Sequence, residues 1–557
     1  MIERFLKQTE FSSYDDFMQN FSIEAPENFN FGYDIVDAYA AEQPQKKAII
    51  WENDRGETRT VTYAQYKEES DRVASMLLQL GIKKGDCVML ILRRRLEWWF
   101  AMIALHKIGA IAIPASQLLT AKDIVYRCQS AEIKAIIALG EQNIIKAIIK
   151  ARPDSPSLQH VISVGPEVPE GWVDFHKAVD AAPPFHKIEN LNTNEDNMLL
   201  YFTSGTAGQP KMVVHSYDYP LCHCLTAYWQ NLDSTSLHLT LSDTSWAMAI
   251  WGSFYPQMLA GATICIYDVE GKFDPKRLLH LMAEQHVTSF FAAPTVYRFM
   301  MHERMEDYDL SSLRYCNIAG EAMYPTFYAE WKRRTGLNLM ECYGQTESAL
   351  IIGTLPWCEP HPGSMGVANP LYKVKIIDQE GNECPVGKAG NLVISCKEGH
   401  PLGLLRGYYH GEELTRKAFR DGYYFTGDVV YRDEDGYYWF ESRADDVIKS
   451  SGYRIGPFEV ESALLTHPAV AECAITGVPD EIRGQIVKAS IILTKDYQGK
   501  GDDALKKELQ QHVKETTAPY KYPRVIEFVT ELPKTINGKL RRVEIREKDE
   551  ALHRAKA

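Results

Sequence analysis

The stretch CVMLILRRRLEWWFAMIALHKIGAIAIPA, residues 87–115, reads as strand, turn, helix and strand in direct succession. CVMLIL (87–92) is apolar without alternation, the pattern of a strand covered on both faces. LEWWFAMIALHKIG (96–109) reads as an apolar-faced helix ended by Gly109, and AIAIPA (110–115) follows as the next strand. The runs IKAIIAL (133–139), HVISVG (160–165) and MLLYFT (198–203) continue the series, separated by helical patterns. A second series follows, with ATICIY (262–267) and VTSFFAA (287–293) alternating with helical segments near 247–260 and 275–286. Two tandem α/β units with parallel sheets are expected, because only a crossover through a helix brings successive strands back parallel.

Between about 361 and 442 the texture changes to shorter aromatic strands, and Asp435 with Gly436 in EDGYYWF (434–440) predicts a hairpin turn. This reads as a β subdomain. After ESRADDVIKSSGYRIG (441–456) the pattern restarts as a compact α+β unit, so a boundary is placed near Asp445, dividing 1–444 from 445–557. No short-period repeat or low-complexity tract interrupts either part.

A chain of 557 residues exceeds one hydrophobic core, and 45% hydrophobic with 24% charged residues is a globular composition. The formal charge of −13 argues against general nucleic-acid binding, which needs a basic footprint. Eleven cysteines without CxxC pairs suit thiols in a reducing compartment. Cys222, His223 and Cys224 lack the second cluster that a zinc site would need. The N-terminal MIERFLKQTEFSSYDDF has no apolar h-region, and no run reaches about 18 apolar residues. A cytoplasmic protein without an integral membrane segment is expected, and a homodimer is compatible with the sequence.

The segment YFTSGTAGQPKMVVHS (201–216) follows a buried strand and is rich in glycine and hydroxyl groups. Gly205 and Gly208 allow close backbone approach to an anion, Thr203, Ser204 and Thr206 add hydroxyls, and Lys211 adds charge. It is a phosphate cradle or a surface turn. It is not a P-loop, because Pro210 precedes the lysine and the GxxxxGK spacing is missing.

Five further segments follow in order: AGEAM (319–323), ECYGQTES (341–348), YFTGD (424–428), SRADDVIKSSGYRIGPFEVE (442–461) and PKTINGKLRR (533–542). Together with the 201–216 loop they resemble the adenylate-forming superfamily of acyl-CoA synthetases, luciferases and peptide-synthetase adenylation domains. The resemblance covers nearly the whole chain. It implies a large N-terminal domain of two parallel-sheet α/β subdomains plus a β subdomain, and a small mobile α+β C-terminal domain. It also implies a two-step reaction, in which a carboxylic acid and ATP give acyl-AMP and pyrophosphate, and acyl-AMP and coenzyme A then give acyl-CoA and AMP. The implied ligands are ATP, Mg²⁺, coenzyme A and a small carboxylic acid.

Residue by residue, the resemblance assigns ATP or AMP to Thr203, Ser204, Gly205, Thr206, Gly208 and Lys211. It adds Gly320, Glu321 and Ala322 beside the base, and Glu341, Cys342, Tyr343, Gly344, Gln345 and Thr346. Tyr343 can stack on a purine or be an ordinary core tyrosine. Thr346 and Glu347 offer a hydroxyl and a carboxylate suited to triphosphate and Mg²⁺, with Glu347 the implied metal ligand; a solvated glutamate is the alternative. Asp428 can accept both ribose hydroxyls with Arg443 nearby, or the two form a structural salt bridge. Lys539 is the implied catalytic lysine, whose ammonium would stabilise charge at the α-phosphate by roughly 3 to 4 kcal/mol; outside the motif it would read as a solvated lysine. Asp445 matches the family's hinge. Ser451, Gly452 and Tyr453 match positions that border coenzyme A, with Arg454 and Arg483 as partners for its phosphates.

Within the family the chain looks most like the medium-chain acyl-CoA synthetases, through SDTSWAMAIWGSFYPQMLAGA (242–262) and GKFDP (271–275). Acetate-specific relatives place tryptophan where Gly344 stands, so the acyl pocket should admit a longer acid: medium-chain, branched short-chain or aromatic. Trp246 and Trp251 line that pocket or serve helix packing. Two other functions compete: an adenylating enzyme that passes the acyl group to a carrier protein, and a non-catalytic nucleotide-binding regulator.

Overall fold

The computed structural model of the chain describes residues 1–203, 210–320, 325–444, 446–450, 453–480, 483–534 and 540–554. Two compact units are present, the larger built from residues 1–203, 210–373 and 396–422, the smaller from 374–395 and the described residues from 423 onward. In the larger unit the first apolar series forms a seven-stranded sheet. Its order is Val173–Asp174, His160–Val164, Ala135–Leu139, Cys87–Ile91, Ile111–Pro114, Asn197–Thr203 and Lys211–Ser216. Every pairing is parallel except the last, where Lys211–Ser216 turns back antiparallel as an edge.

The second sheet has nine strands, in the order Val367–Ala368, Leu350–Gly353, Leu339–Gly344, Tyr315–Ala319, Ser289–Ala292, Leu237–Leu241, Thr263–Asp268, Lys47–Asn53 and Thr58–Thr62. Its interior pairings are parallel and its edges antiparallel. The alternation read from residue 84 onward left out Lys47–Asn53, which joins this second sheet from far upstream. That strand pairs Ile49 with Ile264 and Asn53 with Asp268. Its short AIIW run between charged residues is a strand signal too brief to assign to a sheet from sequence.

The helix Leu96–Ile108 is buried on all sides except at Glu97, as an all-round apolar helix must be. Gly109 ends it with φ of 77°, a conformation that carries little cost without a Cβ. Trp99 donates its indole N–H to the Ser253 carbonyl at 2.8 Å, which fixes this helix against the second α/β series. The segment expected to be helical near 247–260 is two helices, Ala247–Ser253 and Tyr255–Ala260. The break falls at Phe254, two residues before Pro256, whose ring would clash with the carbonyl four residues earlier in a continuous helix.

The turn between the first strand and this helix ties the two sheets together. Arg93 takes a positive φ of 46°. Arg94 donates from Nε to the Tyr267 carbonyl at 2.7 Å and from Nη1 to the Ser242 carbonyl at 3.2 Å, both at the C-terminal ends of second-sheet strands. The Arg94 carbonyl accepts from the Trp51 indole at 3.0 Å, and the Arg93 carbonyl from the Thr244 hydroxyl at 2.7 Å. Burial pulls the Arg94 pKa down, and Asp243 and Asp268 oppose that.

In the smaller unit, Val374–Ile377, Gly390–Ser395, Tyr423–Arg432 and Tyr438–Arg443 form an antiparallel sheet. The hairpin expected at Asp435 and Gly436 is present: Gly436 has φ of 88°, and Asp433 accepts from the Tyr437 amide at 2.8 Å. Beyond it, Val470–Asp480 and Gly484–Leu493 pair antiparallel, and Val525–Phe528 adds parallel. The helices Pro457–Leu465 and Asp503–Thr516 contribute Val460, Leu464, Leu509 and Val513 to a core with Ile475 and Ile491.

Arg94→Met keeps the stem but leaves two carbonyls without a charged donor, which should cost about 2 to 3 kcal/mol. The expected result is a lower urea midpoint for the larger unit, with the fluorescence of the smaller unit's transition unchanged.

Candidate active site

The nucleotide candidates of the larger unit gather at the C-terminal ends of neighbouring parallel strands, where open α/β sheets place their ligands. Tyr315–Ala319 and Leu339–Gly344 are adjacent, with Ala319 opposite Cys342. The turn after the first begins at Gly320, with φ of 94°. The turn after the second carries Gln345, Thr346 and Glu347. Thr203 and Lys211 face each other as the last cross-strand pair before the loop that joins their strands. Ser204, Gly205, Thr206, Gly208, Glu321 and Ala322 lie outside the described residues.

Glu341 is buried at 7% exposure and accepts from the Gly363 amide at 3.2 Å. Cys342 is buried beside it, and burial together with the Glu341 charge pushes its thiol well above the usual range. That thiol is therefore packed core rather than a nucleophile. Tyr343 is half-buried. The Gln345 carbonyl accepts from the Ser348 amide at 3.1 Å, closing the turn that presents Thr346 and Glu347.

Two residues with no motif of their own hold that turn. His215, on the edge strand of the first sheet, lies 2.7 Å from the Thr346 carbonyl through Nε2. A carbonyl only accepts, so Nε2 carries the proton. Tyr219 stacks on the imidazole with ring centroids 3.8 Å apart. Tyr408, buried at 8% exposure, donates its hydroxyl to Glu347 Oε1 at 3.0 Å, and its ring lies 5.3 Å from Lys211 Nζ. The main chain follows the same course: Leu405 N–H donates to the Glu347 carbonyl and Tyr409 N–H to the Met212 carbonyl, each at 2.8 Å. The only sequence signal was HS at the end of the glycine-rich segment and the aromatic pair in RGYY (406–409), neither of which spells a function.

Gly344 explains itself by contact. A Cβ there would run into the edge of the Trp251 indole and the Ala349 carbonyl. Trp251 is 5% exposed and donates to the Tyr219 hydroxyl at 3.3 Å, so the indole is held in place over the glycine. Trp246 is half-buried at the start of the same helix, and its indole N–H has no hydrogen-bond partner among the described residues.

In the smaller unit Asp428 and Arg443 are opposite each other across the hairpin. Arg443 Nη1 donates to Asp428 Oδ1 at 3.0 Å and to the Thr426 carbonyl at 3.3 Å. The two side chains form a salt bridge. Gly427 has φ of 77°, and a Cβ there would lie 2.9 Å from Arg443 Nη2, so the guanidinium occupies the space a side chain would take. Tyr453 is 52% exposed and stacks on Tyr520 at 4.2 Å. Arg483 is 3.8 Å from Asp480, and Arg454 pairs through its backbone with Lys449. Asp445, Ser451, Gly452 and Lys539 lie outside the described residues.

Residues 36–409 match the family model described as AMP-binding enzyme, and 459–539 match that of the AMP-binding enzyme C-terminal domain. The chain is 40% identical to acyl-coenzyme A synthetase ACSM3, mitochondrial, of Pongo abelii, over 97% of this chain and 93% of that one. It is 39% identical to the mitochondrial acyl-coenzyme A synthetase ACSM4 of Mus musculus, over 94% and 91%. Among solved structures it is similar to the anthranilate CoA ligase AuaEII in complex with anthranoyl-AMP, with a TM-score of 0.85 and 30% identity over 95% of this chain and 99% of that one. An acyl-CoA synthetase of Brucella canis follows at a TM-score of 0.71 and 31% identity, over 98% and 100%.

Four buried histidines of the larger unit are held neutral. Burial lowers His215 to about 4 and His106, His223 and His238 to about 3, against an ordinary 6.5. Below that ordinary value the unfolded chain takes up protons that the folded chain refuses. Their contribution to stability is therefore complete above about pH 6.5 and is lost as pH falls toward 4, at about 1.4 kcal/mol per pH unit for each histidine. Urea denaturation at pH 7 and pH 5.5 should show this loss, and His223→Phe should show a shallower pH dependence than the parent chain.

Proposed function

The chain belongs to the AMP-binding enzyme family, and from that membership we infer that it is an ATP-dependent acyl-CoA synthetase. A carboxylic acid and ATP give acyl-AMP and pyrophosphate; coenzyme A then takes the acyl group and AMP leaves. The observation that carries this reading is the convergence of Lys211, Thr346 and Glu347, through Tyr408 and His215, at the ends of two parallel sheets. One cation, one hydroxyl and one carboxylate are the groups a bound triphosphate needs.

In the first step the loop from Thr203 to Lys211 holds the phosphates, Tyr343 lies against the purine, and Asp428 takes the ribose hydroxyls. Arg443 holds the Asp428 carboxylate in place for that role, which supports reading the ion pair as preorganisation. Among the described residues no group of three or more His, Cys, Asp and Glu could hold a metal. A single carboxylate fits Mg²⁺, which takes most of its ligands from phosphate and water, so Glu347 is its protein ligand. When bound, Mg²⁺ neutralises charge on the phosphate oxygens. Lys539 stabilises the charge that develops as the carboxylate attacks the α-phosphate.

Lys539 follows Asp445 by most of the C-terminal part of the chain. We place the functional boundary at Asp445, with residues 445–557 turning about it between the two steps. Ser451, Gly452, Tyr453, Arg454 and Arg483 then serve coenzyme A; the exposure of Tyr453 supports this. A cytoplasmic location is our proposal, although the relatives are named mitochondrial; the eleven free cysteines support a reducing compartment, which either location provides.

The acid is medium-chain, branched short-chain or aromatic. Trp251 lies across Gly344 as a floor, which favours compact acids over long chains, and the likeness to a ligase that binds anthranoyl-AMP supports an aromatic one.

Pyrophosphate exchange across a panel of carboxylic acids, with and without coenzyme A, tests the function: exchange with no acid in the panel would overturn it. Lys539→Ala should lose adenylation by about 100-fold or more yet still convert supplied acyl-AMP to thioester; equal loss of both steps would refute the alternation. Trp251→Ala should move the preference toward longer acids, and an unchanged chain-length profile would remove Trp251 from the pocket.

A further inference from the structure

The loop that carries Tyr408 belongs to neither sheet, yet it touches the ends of both. Tyr408 forms an isolated antiparallel bridge with Val213, and Tyr409 N–H reaches the Met212 carbonyl on the first sheet. Leu405 N–H reaches the Glu347 carbonyl at the second. The loop is itself pinned, because Thr415 Oγ1 accepts from the Tyr408 amide at 2.9 Å. A buried aromatic side chain on such a pinned strap has little freedom, so what it touches is set in place.

We propose that Tyr408 is a positioning residue for the adenylation step, setting the Glu347 carboxylate and the Lys211 ammonium in register for one Mg²⁺–triphosphate. The proposal rests on the placement of Glu347 at the metal and Lys211 at the phosphates. The phenol meets both groups with different parts of itself. Its hydroxyl donates to Glu347 Oε1, fixing the rotamer of a side chain that otherwise turns freely, and its ring face meets the Lys211 cation at 5.3 Å. No ion pair joins Lys211 to Glu347 among the described residues. Each therefore keeps its charge for the ligand, the cation for phosphate oxygens and the carboxylate for the metal. A phenol is well chosen for this: it donates to the carboxylate without bringing a second positive charge that would compete with Mg²⁺.

The role separates the two half-reactions. Tyr408 serves the triphosphate and its metal, which are present only while the adenylate forms. Supplied acyl-AMP carries neither.

The test uses the full chain with Tyr408→Phe, which keeps the ring and the main-chain bonds, and Glu347→Gln in parallel. Adenylation is followed by pyrophosphate exchange with the best acid of the panel, titrating Mg²⁺ and ATP. Thioester formation is followed separately from the corresponding acyl-AMP and coenzyme A. Tyr408→Phe should raise the half-saturating Mg²⁺ concentration and the KM for ATP about tenfold, the scale of one hydrogen bond to a charged group. Its thioester rate should match the parent. An equal fall in both half-reactions would mean that the hydroxyl only supports the fold, and would overturn the proposal. So would unchanged Mg²⁺ and ATP titrations alongside a Glu347→Gln chain that no longer adenylates, a result that leaves the function standing. If Glu347→Gln itself titrates with Mg²⁺ like the parent, the placement of Glu347 falls and this proposal with it.

Discussion

One hydrogen bond, from the His215 imidazole to the Thr346 carbonyl, joins the edge of one sheet to the turn that follows a strand of the other. Each sheet alone would present half of the candidate site: Lys211 on the first, Thr346 and Glu347 on the second. A carbonyl fixed by a side chain from across the junction makes the halves one surface. The bond is strong because its surroundings exclude water, and the same exclusion keeps the imidazole neutral. Stacking on Tyr219 removes the remaining rotation of the ring.

The Arg94 turn does the same work one layer deeper. It places a guanidinium against the carbonyls of Tyr267 and Ser242, where two second-sheet strands end. The two sheets thus meet through backbone carbonyls held by cationic or polar side chains, at the face where ligands bind in such folds. Apolar packing closes the other side, through the fully buried Trp98 and Trp99 and the broken helix at Phe254. Trp251 comes from the first half of that broken helix, so the break at Pro256 also bears on the floor over Gly344.

Much of this was legible in the sequence. The parallel strands of the first sheet, the helix from Leu96 to Ile108 and the hairpin at Asp435 and Gly436 follow from apolar runs, period and turn residues, which are local properties. The strand Lys47–Asn53 was not legible as part of the second sheet, since its partner Thr263–Asp268 lies some two hundred positions away and pairing at that distance leaves no local trace. Of the candidate site, the glycines and the charged residues of the motifs stand out in the sequence, because their chemistry is unusual for a turn, though Gly205, Gly208 and Lys539 lie outside the described residues. His215 and Tyr408 could not: a histidine in a strand and a tyrosine in a loop have many ordinary uses, and only the fold shows what each one touches.

The closeness of Gly427 to the Arg443 guanidinium has an electrostatic consequence. A lone buried carboxylate at Asp428 would surround that hairpin with negative potential and repel any anion near it. Because the glycine lets the guanidinium lie against the carboxylate, the two charges screen each other, and the hairpin does not present a bare negative charge to its surroundings.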